Sequence, residues 1–101
     1  MQLKPLPPPD DAIDSDDAVE VLRGWIVNRG LQVSLAFEVF GNRPDVWGQL
    51  LAETVSHLAD ALSAKNHGQR AAIFHAIKNS LLEHLENPDP GLTGTVHDPV
   101  Q

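Results

Sequence analysis

The chain has 101 residues, enough for one small domain, and 42% apolar against 21% charged residues exclude a disordered or membrane-embedded class. Its net charge of −7 argues against nucleic acid or an anionic membrane as partner, since both reward clustered positive charge. With no Cys there is no disulfide framework, no thiolate nucleophile and no Cys-ligated metal site.

Residues 1–17 form a Pro-rich and then acidic stretch. The run Lys4-Pro5-Leu6-Pro7-Pro8-Pro9 favours polyproline II. It reads either as a spacer or as a ligand for an aromatic-lined groove, although acids (Asp10, Asp11) stand where such ligands carry a base. The first twenty residues hold six acids and one base, whereas residues 21–86 hold six of each. The acidity therefore belongs to the ends and the body is neutral. The prolines of the first ten residues leave no apolar core for a secretory signal, and no run of 18 apolar residues exists. By default, the protein is expected in the cytoplasm.

Between residues 19 and 40 the apolar period is two. Val19, Val21, Arg23, Trp25 and Val27 share one face of a first strand. Leu31, Val33, Leu35, Phe37 and Val39 share one face of a second. Asn28-Arg29-Gly30 suits a type I turn with Gly30 in the left-handed position of a bulge. That loop pairs Trp25 with Val33 and Arg23 with Leu35, so all these apolar residues meet on one side. The other side carries Leu22, Ile26 and Ala36 beside Gln32, Ser34 and Glu38. Glu20 would face Glu38, a like-charge pair that should fray the ladder.

Arg43-Pro44-Asp45 reads as a helix start: Pro44 needs no partner for an amide in the first turn, and Asp45 meets the positive helix end. Over residues 46–64 a helical wheel gathers Trp47, Leu50, Leu51, Thr54, Val55, Leu58, Ala61 and Leu62 within an arc of about 140°. Asn66 or Gly68 provides the left-handed stop. A second helix over residues 69–86 presents Ile73, Phe74, Ile77, Leu81 and Leu85, with His84 inside the arc and Leu82 on the far flank.

The expected fold is α+β: an antiparallel hairpin followed by two antiparallel helices packed on one sheet face. Residues 1–17 are expected to be a flexible arm, residues 18–87 one domain, and residues 88–101 a disordered tail. Trp25, Trp47, Phe37 and Phe74 are expected in the core. A lone two-stranded sheet is marginal in water, and the outer face is half apolar. Leu22, Ile26, Ala36 and Leu82 thus predict a homodimer in which two hairpins join, edge to edge or through the face of Leu22, Ile26 and Ala36.

Two constellations could carry chemistry. Glu53, His57 and Asp60, spaced four and three apart, share one edge of the first helix, where carboxylates and imidazole could hold a divalent metal or form an acid–base cluster. The same residues equally describe a solvated helix surface, and no His-x-x-x-His pair supports a metal. Arg23 stands amid apolar residues; it binds an anion in a pocket walled by Trp25 and Phe37, or lays its stem along the face with the guanidinium reaching water, or pairs with an acid. No serine has a nucleophile-elbow context and no Gly-rich phosphate loop is present, so no catalytic residue and no cofactor is predicted.

The elements Glu20-Val21-Leu22-Arg23-Gly24-Trp25-Ile26, a Gly turn with Val33-Ser34-Leu35, Trp47-Gly48-x-x-Leu51 and His57-x-Ala59 resemble a family of small bacterial proteins known only as a domain of unknown function. The resemblance spans residues 19–61. It implies a bacterial cytosolic α+β protein and transfers no catalytic residue. It directs attention to Arg23, Trp25, Trp47, Gly48 and His57. The expectation is therefore a non-enzymatic dimeric interaction or regulatory module. The alternative is a metal- or anion-binding protein using Glu53, His57 and Asp60, or Arg23 with Trp25 and Trp47.

Overall fold

The computed structural model describes residues 5–88 and the pair at 96–97. Lys4, where the polyproline run starts, and most of the expected tail lie outside the described residues. Pro9, at φ −66° and ψ 154°, has polyproline II geometry and leads into a short helix, α1 (Asp10–Asp14). The hairpin follows, with β1 (Leu22–Val27) antiparallel to β2 (Gly30–Leu35). Two long helices come next, α2 (Pro44–Ala64) and α3 (Arg70–Glu86). A two-residue strand, β3 (Val96–His97), pairs parallel with β2 and gives the sheet order β1-β2-β3. The α+β order of hairpin and then helices is the expected one.

The hairpin register differs from expectation by one residue. Asn28 and Arg29 both have positive φ, 51° and 68°, so the connection is a two-residue loop of the I′ kind and Gly30 already pairs with Val27. That turn follows the right-handed twist of the strands, and Asn is among the residues that tolerate its geometry. Trp25 thus faces Gln32, and Arg23 faces Ser34. A shift of one residue exchanges the faces. Leu31, Val33 and Leu35 therefore join Leu22, Gly24 and Ile26 on a wholly apolar side, leaving Arg23, Trp25 and Val27 with Gln32 and Ser34. Gly24 leaves room on the apolar side: a Cβ there would lie 3.6 Å from Leu31 Cδ1. The strands are also shorter than their apolar period. The ladder ends at Leu22 and Leu35, followed by one hydrogen bond from Ala36 N–H to the Val21 carbonyl (3.1 Å). Phe37 and Val39 lie beyond it.

The helix stop is built as expected. Asn66 takes φ +64°; its N–H donates to the Ser63 carbonyl (3.0 Å) and that of His67 to the Leu62 carbonyl (3.1 Å). This is the Schellman arrangement, which satisfies carbonyls the helix leaves open. At the start of α2, Arg43 donates two hydrogen bonds to Asp45, of 2.9 and 2.7 Å. The helices meet through a small residue, Ala59, which is fully buried, and through Val55, Ser56, Ile73 and Ile77, which are half-buried.

The helices do not cover the hairpin. Contacts between elements run within the hairpin, between α2 and α3, and between β2 and β3; neither helix lies against β1 or β2. The cause is the connector at residues 36–43. Backbone hydrogen bonds from Val39 to Ala36, Gly41 to Glu38 and Arg43 to Phe40 fold it into successive turns. Phe40 then packs edge-on against Trp47 with ring centroids 5.0 Å apart, tying the connector to the start of α2. As a result Ala59 is the one buried apolar residue among those described, and the expected core aromatics are not buried. Trp25, Trp47 and Phe74 are half-buried, and Phe37 is exposed.

Candidate functional site

The main concavities gather around the outer end of β1. Its extended backbone alternates side chains across the sheet, so Arg23 and Trp25 stand on the mixed face beside Ser34. Three residues back along the chain, Glu20 is close enough to pair with the guanidinium; Arg23 Nε donates to Glu20 Oε1. Hydrogen bonding first and charge second raise the Arg23 pKa further above its already high ordinary value. Both side chains are about half exposed, so the pair is a solvated one. The structure thus shows Arg23 paired with an acid.

Arg23 nevertheless lines three open clefts. One of about 400 Å³ lies between Val21, Trp25, Ser34 and Ala36. A second, about 260 Å³, is bounded by Pro5 and Leu6 together with Leu22, Gly24 and Trp25. Because residues of both sheet faces line this second cleft, Pro5 and Leu6 run beside the edge of β1. A third, about 510 Å³, lies between Leu6, Pro8 and Pro9 of the arm and Val19. Trp25 is one wall, as expected; Phe37 lines none of the three. The ladder ends before Phe37, so nothing turns that ring toward Arg23.

Trp47 and His57 lie elsewhere, on α2. Trp47 is engaged with Phe40 at the helix start. His57 is exposed and makes no side-chain hydrogen bond among the described residues. The proposed trio of Glu53, His57 and Asp60 does not gather into a metal-holding group: among the described residues no three His, Asp or Glu side chains do. Each carboxylate is drawn away. Glu53 accepts from Gln49 one turn earlier (3.3 Å), and Asp60 accepts from Arg70 Nε of α3.

That last contact belongs to a polar clasp that helical spacing within α2 could not reveal. Arg70 also donates to Ser56 Oγ (2.8 Å), and its guanidinium lies 5.8 Å from the centroid of Phe74. The only sequence signal was a base in the first turn of α3, where the helix dipole disfavours it and a partner must be found. His84 has a local role: its Nδ1–H donates to the Ser80 carbonyl one turn back (2.7 Å).

No described helix is long and apolar enough to cross a membrane. The profile of a family described as Domain of unknown function (DUF5076) matches residues 5–89. No curated protein matches the chain. Among solved structures, one from the photosynthetic bacterium Rhodopseudomonas palustrus CGA009, described as a "putative pyruvate dehydrogenase", is 27% identical. It superposes with a TM-score of 0.69 over 91% of this chain and 93% of its own.

Proposed function

The chain belongs to DUF5076, a domain of unknown function, and on that premise we propose that it is a non-enzymatic interaction module that works as a homodimer. One observation carries this reading: among the described residues, no element lies over the exposed apolar side chains of the hairpin or of α2. Fifteen large apolar residues are exposed among those described, and patches of that extent in a small protein mark an association surface. The pyruvate dehydrogenase description belongs to the R. palustrus protein and, at 27% identity, lends no reaction to this chain. Sedimentation equilibrium at micromolar concentration tests the dimer. The expected result is a 22 kDa species whose unfolding midpoint rises with protein concentration. A stable 11.0 kDa monomer that unfolds independently of concentration would sink it.

A second reading rests on the convergence of three clefts at Arg23. There the module would take a small carboxylate or other anion that competes with Glu20 for the guanidinium. Thermal stabilisation by millimolar anions, lost in Arg23→Ala, supports it; no shift with any anion removes it.

A further inference from the structure

The uncovered helix face is long enough to cover the uncovered sheet face. The apolar side of the hairpin (Leu22, Ile26, Leu31, Val33 and Leu35) spans the pairs from Leu22↔Leu35 to Ile26↔Leu31, about 13 Å at the rise of a strand. On α2 the side chains of Leu51, Leu58 and Leu62 continue from Trp47 as one stripe, about 22 Å from Trp47 to Leu62 at the rise of a helix. Leu58 stands about 100° round the helix from Ala59, so α3, seated on Ala59, leaves the stripe open. On the hairpin the exposure is greatest at the turn end, 76% at Ile26 and 52% at Leu31, while Val33 and Leu35 are half-buried; on α2, Leu51 and Leu58 are 49% and 47% exposed. The exposed leucines of α3 do not serve: Leu81, Leu82 and Leu85 span about 6 Å, too little to cover the ladder.

Each chain thus carries a sheet face lacking its helix layer and a helix face lacking its sheet layer, with a folded connector between them pinned by Phe40 on Trp47. We propose that the apolar hairpin face of each chain docks on the α2 leucine stripe of a second copy, and reciprocally, so that two identical interfaces close the dimer. This rests on the homodimer reading above and specifies its surface. Hairpin-on-hairpin association would leave both α2 stripes in water, whereas the reciprocal arrangement covers all four faces with one two-fold axis. The area fits. The chain exposes 8765 Å², about 3,000 Å² more than a compact monomer of its mass. A standard interface takes about 800 Å² per partner, which leaves a wide margin for the arm and the chain ends.

Because the chain has no native Cys, introduced thiols report on this directly. Full-length Ile26→Cys and isotopically labelled Leu58→Cys are mixed under reducing conditions, equilibrated and oxidised. The expected main product is the mixed disulfide, identified by mass. Ile26→Cys linked to itself as the main product, or a double variant closing within one chain, overturns the arrangement. A readout independent of disulfide geometry uses Ile26→Lys and Leu58→Glu. Each alone should raise the dissociation constant about a hundredfold, and their equimolar mixture should recover a heterodimer, since one interface is then wild type and the other pairs Lys with Glu. No recovery, with the wild type dimeric, overturns the arrangement. A monomeric wild type in sedimentation overturns the homodimer reading itself, so the two failures are distinguishable.

Discussion

The hairpin and the helix pair meet the problem of a small core in opposite ways. The helix pair closes most of its own accounts: Ala59 is buried, Arg70 clasps Ser56 and Asp60 across the gap, and Asn66 and His67 seal the end of α2. The hairpin closes only its backbone. Its ladder is complete and its turn well formed, yet its apolar side is exposed at Leu22, Ile26 and Leu31. Local backbone geometry can be satisfied within the hairpin itself, whereas side-chain burial needs a second layer.

The comparison breaks most sharply at Leu31. Placing a carboxylate there with Leu31→Asp leaves the loop and ladder intact but puts charge on the open face. Its expected effect is a dimer dissociation constant about a hundredfold higher, near 2.7 kcal/mol, read by sedimentation. Ala59→Leu attacks the other region. It forces side-chain volume into the point of closest helix approach and should cost about 1–3 kcal/mol in urea unfolding. Arg29→Gly sharpens the hairpin side. Removing a Cβ from a residue at φ +68° should stabilise by up to about 1 kcal/mol, seen as a higher unfolding midpoint.

The smallest effect expected is at Asp45. The hydrogen bonds from Arg43 hold its carboxyl below the ordinary carboxylate range. A carboxyl NMR titration should find it titrating below about 3.9, and Arg43→Ala should return it toward that value. Since its pKa is lower folded than unfolded, the contribution is present above the ordinary carboxylate pKa and fades as pH falls through the folded value.

How far the sequence speaks depends on the range of the interaction. Pro44, Asp45 and Asn66 act within one or two turns, and both long helices begin and end within a residue or two of their signals. The period-two run located the hairpin but not its register. Asn28-Arg29-Gly30 is compatible with a two- or a three-residue loop, and the choice between them decides which leucines share a face. That Arg23 pairs with an acid is one of the readings its sequence context allows; that the acid is Glu20, three residues back, is settled only by the geometry at the start of β1. Spacing within α2 groups Glu53, His57 and Asp60, but it cannot show that Asp60 accepts from Arg70, ten residues further on. Likewise, nothing in the apolar period foretells that residues 36–43 fold into turns and hold the sheet off the helices.

The arm beside β1 bears on how the chain behaves in a crowded solution. Pro5 shares a cleft with both faces of that outermost strand and has no amide hydrogen to give. A foreign ribbon approaching that flank meets the Pro5 ring beside the strand, which has no amide hydrogen of its own with which to extend the ladder.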